Sequence, residues 1–129
     1  MLGQITKTTE PEHGLTRFDV NGEVNVEQVL DQLIPFLTET PTPLVIWSIG
    51  EGGMKGLSGA DLRRIVDVAA PFSASRAGGR TAIVCMDDLD YGLSRMFQTL
   101  AELYPIPFEM RVFRDLNEAL AWLKAPATH

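Results

Sequence analysis

Residues 81–88, Thr-Ala-Ile-Val-Cys-Met-Asp-Asp, decide the fold of this chain. Thr81–Met86 is an almost continuous apolar run, which is typical of a strand covered on both faces of a parallel sheet. Asp87 or Asp88 follows directly, and aspartate is one of the residue types that cap the start of a helix. The apolar residues beyond have helical spacing and predict a helix with a buried stripe at Leu89, Leu93, Met96, Phe97, Leu100 and Tyr104.

The same strand-helix pattern occurs on both sides of this stretch. Leu44–Ser48 is a second buried strand, and Ser58 caps the helix after it, whose inward positions are Leu62, Ile65, Val66 and Ala69. We interpret Ser73–Gly79 as a linker. Glu109–Arg114 is the last strand, and Asp115 caps a closing helix that buries Leu116, Ala119, Leu120 and Leu123.

The amino-terminal part adds a hairpin and a first helix. Gln4–Glu10 and Leu15–Val20 are two short strands around a turn-rich Pro-Glu-His-Gly segment. Asn25 caps a helix in which Pro35 predicts a kink or a broken last turn; its apolar positions are Val26, Val29, Leu30, Leu33, Ile34 and Leu37. The order β-β-α-β-α-β-α-β-α predicts one α/β domain over residues 1–129, with a mostly parallel sheet and an antiparallel first strand at its edge.

The composition excludes several classes of function. With 11 basic and 17 acidic residues among 129, the chain has a net charge of −6, which argues against a nucleic-acid partner. The single cysteine, Cys85, cannot form an intrachain disulfide, and its apolar strand favours an inert thiol. No apolar run is long enough for a membrane span and the amino terminus does not resemble a signal peptide, so we expect a cytoplasmic protein.

The sequence contains no recognisable catalytic, cofactor-binding or metal-binding constellation. His13 lies in the hairpin turn and His129 is the last residue, so neither is placed for a catalytic triad. Three aspartates, Asp87, Asp88 and Asp90, follow one strand, but a magnesium or phospho-aspartate site would also need acids after other strands. Helix capping explains these aspartates better. We therefore expect a protein that is not an enzyme and holds no metal or cofactor.

A glycine-rich loop, Gly50–Gly56, precedes the helix that Ser58 caps. Its backbone amides and Lys55 form an arrangement that can bind an anion or a small ligand, with candidate residues Gly50, Gly52, Gly53, Lys55 and Gly56. Lys55 stands where the P-loop and dinucleotide motifs both need glycine, so neither nucleotide motif is present. The alternative is a mobile loop over a groove, with a mouth made apolar by Met54, Leu57 and Met86.

Basic residues are concentrated after this loop. Arg63, Arg64, Arg76 and Arg80 surround a single acid, Asp67, in the sequence. They predict either a positive patch that faces an acidic partner or a set of solvated helix and loop ends.

Three stretches, Val29–Leu37, Gly79–Val84 and Arg111–Leu123, resemble the SpoIIAA-like branch of the STAS domain family. In the last stretch, an Arg-Val-Phe strand end leads into a capped helix that ends in Ala-Trp-Leu. The resemblance covers most of residues 15–123. It implies the same α/β fold and a regulatory, protein-binding module without enzymatic activity.

The resemblance also implies a site and a partner. The family's phosphorylatable serine corresponds to Ser58, although Gly56 and Leu57 stand where the family has an acid and a first serine. A kinase or sigma-factor regulator would then contact a surface that includes Leu57, Arg63 and Arg64. From the residues alone, a helix cap explains Ser58 better than a phosphoacceptor does.

A competing hypothesis is a carrier of a small apolar molecule or lipid, with the ligand near the Gly50–Gly56 loop. Edge strands such as Gln4–Glu10 also make a homodimer plausible.

Overall fold

The computed structural model describes residues 2–126, which form one sheet of five strands and four α-helices. The strands are β1 (Gln4–Glu10), β2 (Leu15–Asn21), β3 (Leu44–Ile49), β4 (Arg80–Cys85) and β5 (Glu109–Phe113). The helices are α1 (Val26–Glu39), α2 (Gly59–Ala69), α3 (Asp88–Ala101) and α4 (Leu116–Lys124). Two 3₁₀ helices, Pro11–His13 and Ala70–Arg76, complete the fold.

The strands lie in the sheet in chain order. β1 pairs with β2 in the antiparallel sense, and β2, β3, β4 and β5 pair in parallel. Phe18, Trp47, Ile83 and Val112 lie in one row across the parallel strands. The α/β class, the mixed sheet and the antiparallel edge strand are confirmed.

Helices cover both faces of the sheet. Successive side chains of a strand point to opposite faces, so each strand contributes to a core on either side. Val45, Trp47 and Ile49 of β3 face the layer formed by α1, α2 and α3. Ile46 packs on the opposite face with Ala119 and Leu123 of α4. The larger core is therefore on the side of α1–α3, where Phe18 stacks on Trp47 with ring centroids 4.3 Å apart.

Side-chain caps begin each of the four α-helices, as the sequence predicted. Asn25 and Ser58 form reciprocal capping boxes with Gln28 and Asp61. Asp87 accepts from the Asp90 amide at the start of α3, and Asp115 accepts from the amides at the start of α4. These caps fix where each strand-to-helix turn ends.

Of the two outcomes predicted for Pro35, a kink or a broken last turn of α1, the broken last turn is wrong. The helix continues to Glu39, because Pro35 and Asp31, the residue whose backbone bond it removes, are both exposed, while the adjacent Phe36 and Leu37 are buried. The linker predicted at Ser73–Gly79 is also partly wrong. A 3₁₀ helix extends to Arg76, with a proline in its first turn, where the missing amide costs no bond.

The predicted inward stripe of α3 is partly wrong as well. Leu89 and Met96 are 56% and 46% exposed, whereas Asp90, Ser94 and Ala101 are buried. The helix turns a polar edge toward the core because Asp90 has backbone partners there. No helix within residues 2–126 combines the length and the apolar character that crossing a membrane requires.

Candidate functional site

Backbone amides of the glycine-rich loop bind carboxyl groups of the protein itself. The amides of Gly52 and Met54 donate to the Asp90 carboxylate, each at 2.9 Å, and Gly52 N also lies 2.7 Å from Asp87 Oδ2. These two amides, which the sequence analysis treated as free for an external anion, are therefore occupied by side chains of α3. Asp90 is completely buried and holds the loop against the end of the sheet.

The glycines of this loop allow it to lie close to the strand ends. Gly52 has a φ of +74°, a conformation that side chains with a Cβ rarely adopt. A Cβ at Gly53 would lie 2.9 Å from Ile49 Cγ2, which is too close. The positive φ thus accounts for glycine at position 52 and packing on β3 accounts for Gly53, while Lys55 is exposed.

The two loop-binding aspartates differ in how readily they ionise. Burial raises the pKa of the Asp90 carboxyl above its ordinary value. The backbone amides of Asp90 and Gly52 lower the pKa of Asp87. Asp90 therefore keeps a proton to higher pH than Asp87 does.

The residues predicted to meet a protein partner do not share one surface. Ser58 is exposed, and its Oγ accepts from the Asp61 amide as an N-cap. Arg63 and Arg64 are exposed on α2, with Arg64 paired to Glu27 of α1. Leu57 is only 5% exposed and belongs to the core beside Met54, so its prediction as a surface residue is wrong. Its apolar side chain points inward because the loop folds over the sheet end.

The predicted patch of four arginines also separates in the structure. Arg76 is 3% exposed, and Arg80 donates to the carbonyls of Trp122, Ala125 and Pro126 at the end of α4. Only Arg63 and Arg64 of the four are exposed. The prediction of one patch failed because the sequence does not show that the Arg76 side chain is buried.

A cavity of about 120 Å³ lies between the sheet and the layer of α1, α2 and α3. Met54 and Leu57 of the glycine-rich loop lie at the carboxyl ends of the strands, and Leu62 and Ile65 of α2 are among the helix residues that line it. Apart from the indole of Trp47, the polar side chains in the lining are Ser73, Arg76 and Thr81. Of the three residues predicted to make the mouth apolar, Met54 and Leu57 line the cavity, whereas Met86 is 65% exposed and does not line it.

A second, more polar groove of about 470 Å³ adjoins this cavity. It lies between the end of α3 and β5, and its polar lining includes Gln98, Glu102 and Arg111. Four side chains line both spaces, namely Ala101, Ile106, Phe108 and Met110. The cavity and the groove therefore meet at these four side chains.

The remaining reactive residues lie apart from the cavity lining. Cys85 is buried beside Ser94, and burial raises its pKa to about 11, as expected for an inert thiol. Glu10, Glu12 and His13 bring possible metal-ligand atoms within 4.8 Å of one another at the hairpin turn, a grouping that the sequence analysis did not predict. His129 lies outside the described residues.

Comparison of the chain with family models, curated proteins and solved structures finds no match. The resemblance to STAS domains therefore stays a prediction.

Proposed function

We propose that this protein binds a small apolar ligand in the cavity between the sheet and α1–α3. The observation that carries the proposal is the cavity itself, whose lining is almost entirely apolar. Protein interiors are close-packed and leave few voids larger than a water molecule. A dry apolar cavity of about 150 Å³ takes up benzene, so this space suits a ligand with one ring or a short chain.

The position of the glycine-rich loop supports this proposal. Met54 and Leu57 close the cavity at the carboxyl ends of the strands, which is the usual ligand-binding edge of an α/β sheet. Asp90 holds Met54 in that position through the backbone amide. The cavity therefore supports the carrier hypothesis, in which the ligand lies near the glycine-rich loop.

Titration with toluene tests the proposal, with methyl NMR as the measurement. We expect saturable shifts for Leu62, Ile83 and Met54, which line the cavity, and none for Ala119 and Leu123 on the opposite face of the sheet. Native mass spectrometry of freshly purified protein would then show whether an apolar molecule co-purifies.

A pair of variants on α2 provides the matched control. Ala69 lines the cavity and Ala60 is exposed on the same helix. Ala69→Leu should fill part of the cavity and abolish toluene binding, while Ala60→Leu should bind like the unmodified protein. Equal toluene binding by the two variants, or no binding by the unmodified protein, contradicts the proposal.

A second candidate is the regulatory module that the STAS resemblance implies. The observation in its favour is that the Ser58 hydroxyl is exposed at the start of α2, with Arg63 and Arg64 exposed farther along the helix. A phosphate on Ser58 would lie near the Asp61 carboxylate, which accepts from the Ser58 amide at 2.9 Å. Incubation with serine kinases followed by mass spectrometry tests this candidate, with Ser58→Ala as the control, and failure to phosphorylate Ser58 under every condition argues against it.

A further inference from the structure

The polar side chains of the cavity are gathered at one end. Ser73 and Arg76 lie on the same 3₁₀ helix, and Thr81 is at the start of β4. All three are buried, and Arg76 Nη1 donates to Thr81 Oγ1 at 2.6 Å. Met54 and Leu57 lie at the other ends of the strands, so the cavity has one polar and one apolar end.

The Arg76 guanidinium forms part of the cavity wall. Its central carbon lies 4.5 Å from the ring centroid of Phe108 and 5.9 Å from that of Phe36. Both rings line the cavity. The charged group is therefore held between aromatic side chains rather than turned toward solvent.

The charge of Arg76 has no anionic partner in the described part of the chain. Nε donates to Thr42 O, and Nη2 donates to the carbonyls of Pro43 and Arg80, each at 2.9 Å. These acceptors are neutral, and no carboxylate of residues 2–126 forms an ion pair with Arg76. A buried charge is normally paired, so this cationic end is complementary to an anion.

Two hydrogen-bond donors remain at this end of the cavity. Arg76 has five N–H groups, of which four are used by acceptors within residues 2–126, leaving one on Nη1. Thr81 Oγ1 accepts from Arg76, and its own hydrogen has no acceptor among the same residues. A carboxylate has two oxygens that could accept from these two groups.

We propose that the ligand is a small apolar carboxylic acid, with its carboxylate at Arg76 and Thr81 and its apolar body toward Met54 and Leu57. This inference rests on the proposed function and specifies the ligand's chemical class. Folding has already removed Arg76 from water, so binding requires the desolvation of the ligand's carboxylate alone. The size of the cavity limits the apolar body to about one aromatic ring or a chain of similar volume.

The test compares phenylacetate with the neutral phenylacetamide on the unmodified protein at pH 7, with toluene as the apolar reference. Since hydrogen bonds to charged groups are stronger than neutral ones, we expect phenylacetate to bind about 10- to 100-fold more tightly than phenylacetamide. Equal affinities together with toluene binding would overturn the assignment of the acid and leave the apolar cavity intact. Failure of all three compounds to bind would overturn both proposals.

Two variants assign the effect to these side chains. Thr81→Val removes the hydroxyl with little change in shape and should weaken phenylacetate binding about 2- to 10-fold, while toluene binding stays the same. Arg76→Met should abolish the preference for the acid. If Arg76→Met does not fold, Thr81→Val and the comparison of acid with amide still decide the matter, and an unchanged preference for the acid in Thr81→Val would exclude its hydroxyl from the site.

Discussion

Replacing Asp90 by alanine should release the glycine-rich loop from α3. Asp90 is completely buried, and its two oxygens accept from the amides of Gly52 and Met54 at 2.9 Å. In Asp90→Ala, Gly52 N keeps Asp87 Oδ2 as a partner at 2.7 Å, whereas the Met54 amide has none in its present position. Because Met54 lines the cavity, the variant should also exchange toluene faster than the unmodified protein does.

The size of the effect follows from the bonds that are lost. An unpaired buried amide at Met54 costs about 1–3 kcal/mol. The loss of the hydrogen bond from the Gly52 amide to Asp90 adds about 1 kcal/mol. We therefore expect Asp90→Ala to lower the free energy of unfolding by about 3 kcal/mol. Asp90→Asn keeps an oxygen for the Met54 amide and should cost less than about 1 kcal/mol at neutral pH.

The pH dependence distinguishes this aspartate from its neighbour. Because burial raises the pKa of Asp90 above the ordinary 3.8, the folded protein binds more protons than the unfolded chain at pH values just above 3.8. Stability should therefore fall as the pH rises from there through the raised pKa. Asp87 has the opposite sign, since its lowered pKa makes stability fall as the pH drops below 3.8. Asp90→Asn should lack the first of these two slopes.

Urea unfolding at several pH values measures both predictions, and hydrogen exchange at the Met54 amide locates the effect in the loop. The control is Asp88→Asn, the same change two positions away, at a residue whose side chain is 93% exposed and paired with Arg114. That change should cost about 0.5 kcal/mol or less. A loss below about 0.5 kcal/mol in Asp90→Ala, or an unchanged pH slope in Asp90→Asn, would refute the proposed role of Asp90.

Three further predictions concern the walls of the cavity and the core beside it. Leu57→Ala should lower the free energy of unfolding, measured by urea titration, by about 3 kcal/mol, as expected for a core residue. A loss below about 0.5 kcal/mol would indicate that Leu57 is a surface residue. Because burial raises the pKa of Cys85 to about 11, its thiol should react with a disulfide reagent at pH 8 no faster than the protein unfolds, and stability should fall as the pH rises above 9.0, the ordinary pKa of the thiol. Ile106 lines both the cavity and the groove, so Ile106→Ala should widen the space between them and speed toluene exchange in NMR line shapes with little change in affinity. An unchanged rate would place the ligand's path elsewhere.

Local rules were sufficient to predict most of the fold. Each strand is a short run with β-forming residues, and each helix begins at a side chain that caps it, such as Asn25 or Ser58. These features act over a few residues and can be read without knowing the tertiary structure. The mostly parallel sheet followed from the alternation of strands and helices, because strands joined through helices pair in parallel by crossovers of one preferred hand.

The candidate site depended on contacts that join distant residues. Asp90 is 38 and 36 positions from its partners Gly52 and Met54, and a polar residue in the first turn of a helix is ordinarily read as solvated. One signal was present, since the glycine-rich loop offered several backbone amides directly after a buried strand. The burial of Arg76 was harder to predict. Its four hydrogen-bond acceptors lie just before β3 and at the start of β4, and the sequence does not show that these two places meet around the guanidinium.

The buried groups at the two ends of the parallel strands, Asp90 and Arg76, explain why a bound acid would have one orientation. At the carboxyl ends of the strands, backbone amides bind the Asp90 carboxyl group, whose pKa is raised by burial. At the amino ends, backbone carbonyls bind Arg76, whose pKa is lowered by burial only to about 10, so the guanidinium stays charged at neutral pH. An anionic group near Asp90 would face a carboxyl group whose amides are already in use, whereas near Arg76 it would meet an unneutralised cation and free donors. The charge of the ligand and the apolar contacts of Met54 and Leu57 therefore favour the same alignment along the sheet.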